Sequence, residues 1–406
     1  MRTMTVLSLL ISVTLSSTAV GQAARRAQAW EDKAREIPCQ RYTLYSDLPD
    51  GQARVVAGNL DLLHSTCTDF FKDLDGKVPT GDQVCVFADQ DDYMAWLQDR
   101  VGANGTGSAG MFVQQGSNRV LVAWLGDQPF TQLLGTLRHE GFHHVAAEIF
   151  PGLPVWANEG LAEMFERAVP VSNGLALGNV RSGDVAALQR AVKKDELIPL
   201  NRFFRLEPRR WIHTVRTGGA SLNYLQAWAV SHFLLYGDDG RYKQGFLTFL
   251  SGMNRGLGWK TAFEEAYGLK NYALLEKRFL DFVAELKPSD LEVVVPRMIL
   301  MGEGMRALSD RGERVPNAGA CAGRLRATGF QTRLPEQYGG GTFSTSVDNP
   351  FALPEATGGE LQFADNDGNP LRGLARRPGI IARNLAPREL LLRWKNDGTW
   401  EIVVDN

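Results

Sequence analysis

The sequence has little to tie it to nucleic acid, to a membrane or to a cysteine-built scaffold. Of its 406 residues, 44 basic side chains nearly balance 46 acidic ones, and a net charge of −2 argues for neither a nucleic-acid nor an anionic-membrane partner. Only four cysteines are present, Cys39, Cys67, Cys85 and Cys321, spaced too widely for a thiolate zinc site. They allow three pairings, among which sequence does not choose; three of the four lie in the N-terminal region, where one bridge suits an oxidising compartment. Past the N-terminus no apolar run is long enough to span a bilayer, and there is no internal repeat or nucleotide-binding glycine motif. The local cluster Arg205, Arg209, Arg210 and Arg216 reads as a solvated face, with an acidic substrate as the alternative.

What is there is ordinary globular material, 44% hydrophobic and 22% charged, enough for a sizeable core and two or three domains. The first 21 residues predict a cleavable signal peptide. Arg2 opens a basic region, Val6–Leu15 is apolar but short, and Ala19-Val20-Gly21 offers a small-residue cleavage site. A mature chain starting near Gln22, secreted or periplasmic, is the expectation.

The most informative stretch is Arg138-His139-Glu140-Gly141-Phe142-His143-His144. On a helix, residues four apart lie on one face, so the imidazoles of His139 and His143 can bind one metal ion. Glu140, about 100° further round, can reach a water on that ion. His144 lies off this face and reads as a packing or surface residue. A catalytic zinc also needs a third protein ligand and an open position. Phe150-Pro151-Gly152-Leu153-Pro154 cannot continue the helix, so the chain turns back, and the helical pattern that follows brings Glu159 round as a carboxylate ligand. Glu163 shares the face of Glu159 and can accept a hydrogen bond from the outer N–H of a ligand histidine.

His139-Glu140-Gly141-Phe142-His143 together with Asn158-Glu159-Gly160-Leu161-Ala162-Glu163 resembles the gluzincin metallopeptidases, the thermolysin-like and aminopeptidase-like enzymes whose third ligand is the Glu of an Asn-Glu pair. The nearer likeness, from about Tyr42 to about Phe282, is to secreted bacterial peptidase-MA-like domains without an assigned substrate. Fifteen residues separate His143 from Glu159, a few fewer than in thermolysin, so the connection must be tight. The resemblance implies a zincin-like α+β fold, a Zn²⁺ ion held by His139, His143 and Glu159, and Glu140 as general base on a peptide or protein substrate. It also implies an oxyanion donor on a helix beyond the third ligand. Tyr224 is the candidate, set against a plain packing role; His213 is a weaker one, and His232 reads as packing or capping within its helix. By the same likeness, one strand of a hairpin just before the metal helix is expected to pair with substrate backbone, set against a plain sheet hairpin. Two other readings stay open: a scaffold that keeps the fold without catalysis, and a zinc amidase acting on cell-wall material.

Residues 22–127 read as an α/β subdomain, with strands at Arg41–Ser46 and Gln83–Ala88, helices near 55–74 and 91–98, and a hairpin of 110–115 with 119–124. Residues 128–287 read as a helical region bearing the site. Its metal helix has a buried stripe of Leu133, Leu134, Leu137, Val145, Ala146 and Ile149, and further helices follow at 182–194 and 221–236. Beyond Pro288, glycines and prolines break up short segments, and 389–394 with 399–404 predict a hairpin around Asn396-Asp397-Gly398. Residues 288–406 are therefore expected to be a small β-rich appendage.

Overall fold

The chain is α+β, as expected, with the strands of its described residues gathered in a five-stranded sheet, a four-stranded sheet and two short hairpins. The structure, a computed structural model, describes residues 17–115, 118–211, 220–268, 272–345, 352–371 and 374–404. Most of the expected signal segment, His213, Arg216 and the turn residues Gly116 and Ser117 lie outside them. Two compact units divide the chain, one of residues 1–166 and 197–280, the other of residues 167–196 and 281–406.

In the first unit, α1 (Ser17–Lys33), β1 (Arg35–Ile37), β2 (Thr43–Ser46), α2 (Asp50–Phe70), β3 (Gln83–Phe87), α3 (Gln90–Trp96), β4 (Gly110–Gln115) and β5 (Asn118–Trp124) come first. The sheet order is β1-β2-β3-β5-β4, with β2, β3 and β5 parallel and both edge strands antiparallel to their neighbours. Strand β3 is Gln-Val-Cys-Val-Phe and is buried at four successive residues, as a central parallel strand covered on both faces must be. Its side chains alternate between two cores. Val84 and Val86 join Leu60 of α2 in one, while Cys85 and Phe87 join Trp30 of α1 and Tyr93 of α3 in the other.

The metal-motif helix, α4 (Phe130–Ile149), packs its leucines into the first of these cores: Leu133, Leu134 and Leu137 are all buried there. Pro129 caps its start with a preset φ of −56°, and Phe150, forced off the helical region by Pro151, ends it with φ −120° and ψ 105°. After the turn comes α5 (Val155–Arg167), carrying Glu159. Phe142 of α4 stacks on Phe165 of α5 with ring centroids 5.2 Å apart. Such a pair adds about 0.5–1.5 kcal/mol beyond its buried area and sets the spacing of the two helices.

The chain then leaves this unit for β6 (Val169–Val171), β7 (Gly174–Ala176) and α6 (Ser182–Lys193). It returns through α7 (Leu200–Phe203), α8 (Ala220–Gly240, helical as far as Tyr236), α9 (Lys243–Asn254), α10 (Trp259–Tyr267) and α11 (Ala273–Glu285). Helix α8 crosses α5 so closely that a Cβ at Gly160 would stand 2.4 Å from the Ala227 carbonyl and 2.3 Å from Ser231 Oγ; only glycine fits. At the end of α9 the Asn254 amide donates to the Ile149 carbonyl at 2.8 Å, satisfying the last turn of α4. Among the described residues no helix is long and apolar enough to cross a membrane.

The second unit contains more helix than its glycines and prolines suggest. Two helices, α12 (Leu291–Asp310) and α13 (Ala318–Ala327), come before β8 (Gln331–Arg333) and β9 (Thr342–Ser344), and the expected β-rich part follows as β10 (Glu360–Ala364), β11 (Gly379–Arg383), β12 (Leu390–Trp394) and β13 (Trp400–Val404). Strands β12 and β13 form the anticipated terminal hairpin, and the antiparallel order is β10-β11-β12-β13. The segment from Arg167 to Glu196, read from sequence as part of the 128–287 region, groups with this unit. Its Asn179 holds Leu291 and Glu292 by hydrogen bonds, and Val180 is bound to Ser289. All four cysteines are free thiols, so the bridge considered for the N-terminal region is not formed; Cys67, Cys85 and Cys321 are buried in apolar surroundings instead.

Candidate metal centre

Helices α4 and α5 bring three donor atoms together. Glu159 Oε2 lies 3.5 Å from His139 Nε2 and 3.4 Å from His143 Nε2. The imidazoles meet edge to face, with centroids 4.9 Å apart. Donors bound at about 2.1 Å and about 109° to one cation stand roughly 3.4 Å from one another, so the observed separations suit a tetrahedral ion such as zinc. Glu159 is only 3% exposed, and its Oε2 has no hydrogen-bond donor among the described residues. A buried carboxylate oxygen in that state is costly unless a positive charge serves it. Burial by itself pushes the Glu159 carboxyl up, yet the charge of His143 and the close approach of both imidazoles bring it down to about 2. For His139, burial opposes the proton, but Glu159 and then Glu166 outweigh it and raise the ring well above its ordinary value.

Glu140, predicted as the base, lies beside the donors without joining them. Its Oε2 accepts the backbone N–H of Phe112 at 3.0 Å, which ties it to the edge strand β4. Tyr224, on α8, also comes to the site: its ring lies 6.3 Å from that of His139 and is braced edge-on by Trp211 at 5.2 Å. Burial and then the nearby Glu159 charge raise its hydroxyl far above the ordinary tyrosine value, so it remains a donor. His144 is a packing residue, as expected. It is 1% exposed, lies between Tyr42 and Phe112, and its Nε2 meets Asp82 at 2.5 Å. His232 packs within its helix between Trp228 and Tyr236.

Glu163 is buried near the outer nitrogen of His139, but Oε1 to Nδ1 is 3.6 Å. The closer carboxylate is Glu166, with Oε2 at 2.9 Å from Nδ1. Through Nδ1, His139 thus forms a second cluster with Glu163 and Glu166. Glu166 is a residue that the sequence reading passed over, although it falls seven after Glu159 and so returns to the same helix face. Arg138 was missed as well. Its buried guanidinium binds the Phe165 carbonyl at 3.0 Å, the Glu166 carbonyl at 2.9 Å and Asn59 Oδ1 at 2.7 Å, while Asn59 donates to the Leu134 carbonyl. That clamp ties α2, α4 and α5 together one residue from a metal donor. Only its position before His139 hinted at it.

Residues 133–255 match a family described as a protein of unknown function (DUF1570). The match covers under a third of the chain, yet it holds all three donors, Glu140, Glu163, Glu166 and Tyr224. It is a similarity of this segment and brings no activity with it. Among curated proteins nothing matches.

Proposed function

We propose that this chain is an exported zinc-dependent peptidase of the gluzincin type, with His139, His143 and Glu159 as the ligands of Zn²⁺ and Glu140 as general base. The observation that carries this reading is the approach of two imidazole nitrogens and a donor-less buried carboxylate oxygen to within 3.4 and 3.5 Å. The chemistry that zinc supplies when bound in such a site is an acidified water and a polarised carbonyl. Glu140 accepts the proton of the attacking water as the water oxygen bonds to the carbonyl carbon. When the C–N bond breaks, the same carboxyl passes that proton to the departing amine. Tyr224, kept protonated by its surroundings, donates to the oxygen on which negative charge grows. Strand β4 is an edge strand of the sheet, along which an extended peptide can pair beside Glu140.

The test is metal analysis of purified protein, followed by hydrolysis of a mixed peptide library with and without chelator. Chelator-sensitive cleavage is expected, and Glu140→Gln is expected to keep its zinc while losing about 10²–10⁴-fold in rate. An undiminished rate in that variant removes Glu140 from the mechanism. Turnover of peptidoglycan fragments in place of peptides moves the same chemistry to a cell-wall amide. Zinc bound without any turnover favours the scaffold reading.

A further inference from the structure

The carboxylate that addresses the ligand ring is not the one that helical spacing picks first. His139 can offer Nε2 to a cation only while its proton sits on Nδ1, and that proton needs an acceptor. Glu163, four residues past the third donor, stands 3.6 Å from Nδ1, outside hydrogen-bond reach. Glu166, seven past it, stands at 2.9 Å. Its main chain is fixed by the same stretch of α4, because the Arg138 guanidinium binds the carbonyls of Phe165 and Glu166 at 3.0 and 2.9 Å. Consecutive residues of α4 therefore hold both the backbone and the side chain of Glu166.

We propose that Glu166 is the positioning residue that keeps His139 in its Nδ1–H tautomer and so sets the affinity of the centre for its cation. This rests on the zinc reading above. It assigns the orienting role to the residue seven past the third ligand, in place of Glu163.

The test uses the full chain, stripped of metal and titrated with zinc against a chromophoric competitor. Glu166→Ala is expected to weaken zinc binding about 10–100-fold. Glu166→Gln, whose amide oxygen still accepts, is expected to lose less, and Glu163→Ala least. Thermal unfolding of the metal-free proteins shows whether each variant is folded. Should Glu166→Ala fail to fold, the nearly isosteric pair Glu166→Gln and Glu163→Gln decides by the same order. In zinc-loaded protein, the downfield imidazole N–H proton of His139 is expected in the wild type and lost in Glu166→Ala. Equal zinc affinity in wild type and the Glu166 variants, or a larger loss at Glu163, overturns the assignment and leaves the peptidase reading standing. A wild-type chain that binds no zinc overturns both.

Discussion

Helices α4 and α12 are each 20 residues long and largely buried, yet they bury different things. Along α12 the buried positions are nearly all apolar, from Leu291, Val294 and Val295 through Met298 to Met305 and Leu308. Along α4, apolar Leu133, Leu137 and Phe142 alternate with Arg138 and His144, each of which has a fixed polar partner, and with the two candidate ligands. One helix is a core element. The other uses its core to hold charged groups at set distances, which is the rigid placement a site needs. The second unit repeats the contrast, since its buried polar groups, such as Asn179 and Ser289, serve main-chain bonds of neighbouring loops.

The largest effect that would sharpen this contrast comes from truncating one core residue on each helix. Leu137→Ala and Met298→Ala should each cost about 2–5 kcal/mol in chemical denaturation. Only Leu137→Ala should also weaken zinc binding, because Leu137 anchors in the core the helix that carries both histidines; equal zinc affinity in the two variants would break the comparison. Next in size is Gly160→Ala. Its Cβ meets the Ala227 carbonyl at 2.4 Å, so α5 and α8 must separate, at about 1–3 kcal/mol, and chelator-sensitive activity should fall with the shift of Glu159 and Tyr224. A thermal midpoint unchanged by that substitution would show the contact to be slack.

The smallest effect tests a polar cluster away from either helix. Asp92 is bonded by Arg26 at 2.6 Å and by Lys33 at 2.7 Å. Burial pushes its carboxyl up, but Lys33 and then Arg26 outweigh that and hold it below the ordinary 3.8. A carboxyl whose folded value lies below its unfolded one stabilises the fold above the unfolded value, and that stability is lost as pH falls through the folded one. Stability of the wild type should therefore drop below about pH 4. In Asp92→Asn this part of the pH slope should be missing, as acid titration followed by circular dichroism would reveal.

How far the site was legible depended on how local its signals are. The His139-to-His143 spacing, the Pro-Gly break and the return of Glu159 are short-range facts about helix geometry, and the donors do meet. Glu166 is less legible, because Glu163 already satisfies the one-turn spacing from Glu159 and Glu166 lies two turns on. Arg138 was unreadable in a stronger sense: its partners, Asn59 and the carbonyls of Phe165 and Glu166, are set by tertiary packing. In the fold, β3 and the β4–β5 hairpin were evident from their runs and turn, whereas the three-residue β1 is shorter than any periodicity can register. Helix α12 was overlooked for a related reason. Val293-Val294-Val295-Pro296 has the look of a strand or a break, and a helix buried on most sides shows no polar face to betray its period.

The Arg138 clamp has one more consequence. A guanidinium keeps its charge at any acidity a folded chain survives, and the acceptors it grips on α5 belong to the backbone, where protons do not come and go. This part of the frame around the histidines is thus indifferent to acidification even though the rings themselves are not. On the zinc reading proposed above, release of the cation in acid and its recapture on neutralisation would be a reversible exchange at a preformed cradle, without melting the helices that carry it.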